Sequence, residues 1–119
     1  MPGIKKFEEL LVWQKSHQFV LMVYKLTDKF PRSEEFGLKN QLRRAGVSIP
    51  SNIAEGFQRK NSKDSCHFYN IAQGSLEECK YQLRLAKDLD YIKTIDYTKS
   101  IELANEVGKL LNGWIKIQK

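Results

Sequence analysis

The chain has 119 residues, 41% of them hydrophobic, which suffices for one modest core and one domain. Twenty Lys and Arg against 14 Asp and Glu leave a formal net charge of +6, which points to polyanions as partners. No apolar run approaches the ~20 residues of a membrane span, and the opening "MPGIKKFEEL" lacks the apolar stretch of a secretory signal. The expectation is a cytoplasmic protein with no membrane partner.

Only three prolines occur, at positions 2, 31 and 50, and no segment alternates in the manner of a strand, so the chain reads as all-α. The first helical window covers about 8–29. Leu10, Trp13, Val20, Leu21 and Tyr24 fall on one side of it, and Val12, Phe19, Val23, Leu26 and Phe30 on another. It stops before "FPRSEEF", where Pro31 bars continuation and Ser33, followed by glutamates, reads as the next N-cap.

The second window covers about 34–60. Leu38, Leu42, Ala45, Ile49, Ile53 and Gly56 keep a single helical phase straight through Pro50. This predicts one continuous helix kinked at Pro50, because a proline removes a hydrogen bond and presses on the carbonyl four residues back, here that of Gly46. A competing reading ends the helix at Val47 and restarts it with Asn52 and Glu55 as a capping box. Ser48 and Ser51 are expected to bond the backbone groups that the proline frees.

Beside this core stripe runs a polar face of Gln41, Arg44, Ser48, Asn52, Glu55 and Arg59. The stretch 39–63 carries Lys39, Arg43, Arg44, Arg59, Lys60 and Lys63 against the single acid Glu55, a net +5 out of the molecule's +6. Such a concentration suits contacts with nucleic-acid phosphates, and these six are the candidate binding residues. Alternatively, Arg44 and Arg59 pair with Glu55 or with acids of a neighbouring subunit.

Asn61 is suited to a left-handed helix terminus and Ser62 to capping a third window, about 63–89. Its core stripe reads Phe68, Ala72, Leu76, Cys79, Leu83 and Ala86, with Glu77, Lys80, Arg84, Lys87 and Asp88 facing solvent. Tyr69 and Tyr81 are the only candidates for stacking on bases. Cys66 and Cys79 stand ~20 Å apart on one helix, beyond disulfide reach. Their spacing fits no zinc pattern, and neither His17 nor His67 has an i,i+4 partner, so neither metal nor cofactor is expected.

The last window, about 95–117, follows Thr94 as its cap. Tyr97, Ile101, Ala104, Gly108, Leu111 and Ile115 form one stripe, and Leu103, Val107, Leu110, Trp114 and Ile117 form another; together they cover roughly 200° of the helix. Four helices with short links predict an antiparallel up-down-up-down four-helix bundle. Such a core uses one stripe per helix, so the doubled stripes of the first and last helices predict a homo-oligomer. Trp13, Phe19, Val23, Leu103, Val107, Leu110 and Trp114 are its expected interface. The alternative is that the loops or the N-terminal arm "MPGIKKF" cover this surface.

Catalysis by Ser48 would need a base, and the sequence has neither a Ser-x-x-Lys spacing nor a nucleophile elbow. No enzyme and no small-molecule substrate are expected; a hydrogen-bond network bracing the bend uses the same Ser48, Asn52 and Glu55.

The segments "FEELLVWQKS", "FPRSEEFGLKNQLRRAGVSIPSNIAEGFQRK" and "IAQGSLEECKYQLRLAKDLDYI" resemble the four-helix-bundle family of proteins encoded in intervening sequences of bacterial 23S rRNA genes. The chain is also similar to the accessory variability proteins of diversity-generating retroelements. Gln41, Arg43, Arg44, Ser48, Pro50, Asn52, Glu55, Gly56 and Arg59 match the family pattern, while Gly46 stands where alanine is common. The resemblance implies a bacterial cytoplasmic homopentamer, a barrel-like ring with a basic surface, and brings no catalytic role to any position. It implies ribosomal RNA as a partner or, in the retroelement branch, a reverse transcriptase with nucleic acid. The leading expectation is a non-enzymatic oligomer that binds RNA, and the alternative is an oligomeric scaffold that docks a protein.

Overall fold

Four helices account for most of the chain in the structure, a computed structural model that describes residues 3–118. They are α1 (Leu11–Thr27), α2 (Leu38–Phe57), α3 (Ser62–Asp88) and α4 (Thr94–Gln118), with single 3-10 turns at Phe7–Glu9 and Arg32–Glu34. Among the described residues there is no strand. Each helix packs on two others: α1 on α2 and α4, and α3 on α2 and α4, with no diagonal pair. That is the ring of neighbours an up-down-up-down bundle requires. The 27 residues of α3 span ~40 Å of the molecule's 46 Å long axis.

The α2 phase read from sequence holds throughout, since Leu38, Leu42, Ala45, Ile49, Ile53 and Gly56 are all buried. The helix runs through Pro50 without interruption, which excludes a restart at Asn52. Neither serine takes up the freed Gly46 carbonyl; Ser48 is bonded elsewhere and Ser51 is exposed.

Helix ends depart from expectation. Glu34, not Ser33, prepares the start of α2: it closes a 3-10 turn and turns its carboxylate onto the Leu38 N–H at 2.9 Å, so the helix begins later than residue 34. Asn61 is extended (φ −120°), not left-handed, and belongs to the following helix as its cap, accepting from the Asp64 N–H at 2.9 Å. Thr94 is the first residue of α4. The left-handed residue is Asp90 (φ 63°): its N–H bonds the Lys87 carbonyl and that of Tyr91 the Ala86 carbonyl, a Schellman ending for α3.

Core membership also shifts by one residue in α3. Tyr69 is 1% exposed and takes the position expected of Phe68, which is only half-buried. Ala72, Leu76, Cys79, Leu83 and Ala86 are buried as the stripe predicts. Burial pushes the Cys79 thiol up to about 12, so it packs as a neutral side chain.

In α1 and α4 the core draws on both stripes and on polar residues that periodicity passes over. Val12, Ser16, Phe19, Val23 and Thr27 are buried in α1; Ser100, Ala104, Val107, Leu111 and Ile115 are buried in α4. The hydroxyls of Ser16 and Thr27 donate to the Val12 and Val23 carbonyls, each at 2.7 Å, so they enter the core satisfied.

Candidate nucleic-acid interface

Helix α2 carries three of the six predicted cations, Lys39, Arg43 and Arg44, and the structure sorts all six by what they already touch. Lys39 pairs with Glu35 at 3.1 Å. Arg43 is spent inside the fold: it donates to Thr27 Oγ1 (2.8 Å), to Asp28 Oδ1 (3.0 Å) and to the Tyr24 carbonyl (3.2 Å), and lies 4.3 Å over the Tyr24 ring. It ties the end of α1 to α2 and is not a free phosphate ligand, contrary to the sequence reading.

Arg59 bonds Glu55 at 2.7 Å and stacks on Phe68 at 4.6 Å, so the internal pairing weighed for it is present. Arg44 has no such partner; among the described residues Arg44, Lys60 and Lys63 are exposed cations outside every ion pair. Arg44 lies near the start of α2, and Lys60 and Lys63 lie where α2 turns into α3. At ~1.5 Å per residue, Arg44 lies ~20 Å from Phe57 at the end of α2, and Arg59 lies beyond that end. The six therefore form two groups, Lys39, Arg43 and Arg44 toward the start of α2 and Arg59, Lys60 and Lys63 at its junction with α3.

The polar motif residues join α2 to α3. Asn52 Nδ2 donates to the Ser48 carbonyl (2.8 Å) and to Ser48 Oγ (2.9 Å), and Ser75 Oγ lies 2.8 Å from Ser48 Oγ. Sequence reasoning missed Ser75, which has no distinguishing neighbour in the chain. Gln41, Arg44 and Ser48 line a groove of about 320 Å³ with Ser75 and Glu78. Glu55 is not part of this cluster. Among the described residues the Ser48 hydroxyl bonds only Asn52 and Ser75, and neither side chain is a general base. Among the described residues no group of three acids, histidines or cysteines could hold a metal.

Tyr69, one of two residues considered for base stacking, is closed inside the core, whereas Tyr81 is 65% exposed. Gly56 has a packing role: a Cβ there would fall 2.5 Å from Tyr69 Cε1.

The predicted oligomer face is smaller than expected. Phe19, Val23 and Val107 are each 0% exposed and belong to the chain's own core, so they are unavailable to a partner. Trp13, Leu103, Leu110 and Trp114 remain half-buried. The N-terminal arm covers part of the surface, for Ile4 and Phe7 pack on the core and the Phe7 ring lies 5.2 Å from that of Trp13. Leu11 and Ile117 stay exposed beside an apolar groove of about 480 Å³ between α1 and α4.

These features define a small basic four-helix bundle with a polar α2–α3 seam and an apolar α1–α4 face. The family model of the 23S rRNA-intervening sequence proteins matches residues 8–113, and the chain belongs to that family. A solved structure of a protein of unknown function from the S23 ribosomal protein family of Bacteroides thetaiotaomicron is similar at 31% identity and a TM-score of 0.82, covering 89% of this chain and 96% of that one. The comparison with curated proteins finds no match.

Proposed function

We propose that the protein is a non-enzymatic homo-oligomer that binds RNA through its α2–α3 side. The observation that carries this reading is the set of exposed cations, Arg44, Lys60 and Lys63, that no acid among the described residues engages. Unpaired arginine and lysine at a surface are the groups that displace counterions from phosphates. The apolar α1–α4 face lies across the bundle from the Arg44 groove, so copies joined through Leu11 and Leu110 would leave that groove outward. Five copies in a ring is the number the family resemblance supplies. The working compartment is the cytoplasm, where Cys66 and Cys79 stay as the free thiols observed.

The test is fluorescence anisotropy of a labelled structured RNA at about 50 and 200 mM salt, on protein whose oligomeric mass is known in the same buffer. Affinity should fall by orders of magnitude at the higher salt. The triple variant Arg44→Ala, Lys60→Ala, Lys63→Ala should bind weakly and flatten the salt slope by about 2 to 3. Unchanged binding by the folded triple variant would place the surface elsewhere. No binding by the intact oligomer at low salt would favour the scaffold reading, in which the α1–α4 groove or the basic side docks a protein.

A further inference from the structure

At the end of the bundle where α2 passes into α3 lies a cavity of about 440 Å³, within the range of sites that hold nucleotide-sized ligands. Ser65 and Tyr69, both buried residues of α3, line it. The connecting segment from Arg59 to Ser62 forms one side, and Trp114, Ile117 and Gln118 of α4 form another.

Its chemistry is one-sided. Among the described residues no Asp or Glu lines it, although the chain has 14. Two cations do, Arg59 and Lys60, together with the hydrogen-bonding side chains of Asn61, Ser62, Ser65, Tyr69 and Gln118. Arg59 shares its charge with Glu55, whereas Lys60 is uncommitted. Burial pushes the Tyr69 phenol up, so at neutral pH it keeps its proton and can donate. Beside it the buried Trp114 indole N–H faces the Tyr69 oxygen without completing a well-formed hydrogen bond. Phe57, Trp114 and Ile117 supply the apolar part of the lining.

Donors and a free ammonium on one side and aromatic surface on the other match a ligand that joins an anion to a planar ring. We infer that this cavity binds a nucleoside monophosphate unit, with its phosphate at Lys60 and Arg59 and its base against Trp114 and Phe57. The unit is either a free nucleotide or the phosphorylated end of an RNA strand. In the second case the inference rests on the RNA reading above and gives the strand's end a place distinct from the Arg44 groove.

Trp114 reports on its own cavity once the other tryptophan is replaced, so the experiment uses the full chain carrying Trp13→Phe. Adenosine 5′-monophosphate should change Trp114 fluorescence saturably. Adenosine and inorganic phosphate should each bind at least about tenfold more weakly, since each lacks half of the recognised group. Lys60→Ala, at an exposed position with no internal partner, should weaken the nucleotide by about the same factor. A 5′-phosphorylated RNA that shifts Trp114 where its 5′-hydroxyl counterpart does not identifies a strand end as the source; a response to the free nucleotide alone identifies a soluble ligand. No Trp114 response to either phosphate-bearing probe overturns the inference, and so does phosphate binding as tightly as the nucleotide. Anisotropy of the same RNA with the same protein separates the two ideas: RNA bound with Trp114 silent removes the cavity and keeps the surface, and a nucleotide response without RNA binding does the reverse.

Discussion

Gly56 of α2 lies so close to Tyr69 of α3 that an added Cβ would meet the ring at 2.5 Å and the Ser65 carbonyl at 3.0 Å. The glycine lets two helices approach until a whole tyrosine is closed between them. Gly56→Ala should therefore destabilise the protein by about 1–3 kcal/mol, although alanine is the better helix former. Gly74→Ala, in the middle of α3 with nothing within 4 Å of the new methyl, should stabilise it by about 0.5–1 kcal/mol. Urea midpoints measure both, and equal signs for the two variants would contradict the packing account.

Arg43 and Arg44 are neighbours in sequence with opposite fates. Arg43→Ala removes the bonds to Thr27 and Asp28 that tie the end of α1 to α2 and should cost about 1 kcal/mol while leaving RNA affinity unchanged. Arg44→Ala should leave the melting temperature unchanged and weaken RNA binding. Thermal melts and anisotropy on the two single variants check the assignment, and an exchange of the two outcomes would refute it.

Glu34 supplies a pH response. Its carboxylate accepts from the Leu38 N–H and from the Tyr91 hydroxyl (2.8 Å), which together hold its pKa below the ordinary value of 4.5. A folded pKa below the unfolded one means that the contribution is complete above about 4.5 and is lost as pH falls through the folded value. The melting temperature of the parent should exceed that of Glu34→Gln at pH 7, and the gap should close as the pH is taken below 4.5 and through the lowered value of the folded carboxyl. A gap that is constant with pH would exclude ionisation of Glu34 as its source.

Asp90 ends α3 in the left-handed region at φ 63°, where a side chain is strained and glycine is not. Asp90→Gly should raise stability by about 1 kcal/mol, read as a higher urea midpoint with an unchanged slope.

Much of the bundle was legible in the sequence because helical periodicity is a local property. The phase of Leu38, Leu42, Ala45, Ile49 and Ile53 passes through Pro50 in the sequence and in the structure alike. Cap details were less legible, because Asn61 and Ser62, or Ser33 and Glu34, are adjacent residues of similar chemistry. Which of them turns inward depends on the chain beyond.

The candidate site was the least legible part. Six cations in one stretch are visible by counting, yet Arg43 is withdrawn by Thr27 and Asp28, and Arg59 is half-withdrawn by Glu55 and Phe68. The choice of Tyr69 over Phe68 rests on the space left by Gly56, and the burial of Phe19, Val23 and Val107 on how two doubled stripes divide between the core and the outside.

By itself the sequence determined an all-α chain of four helices, the core phase of α2 and the placing of positive charge between 39 and 63, because periodicity and charge are written residue by residue. Only the tertiary structure decided which cations stay free, which apolar residues the chain keeps for itself, and that Arg59, Lys60, Tyr69 and Trp114 border one cavity. Those outcomes depend on contacts between residues tens of positions apart, whose pairing exists only once the helices are packed.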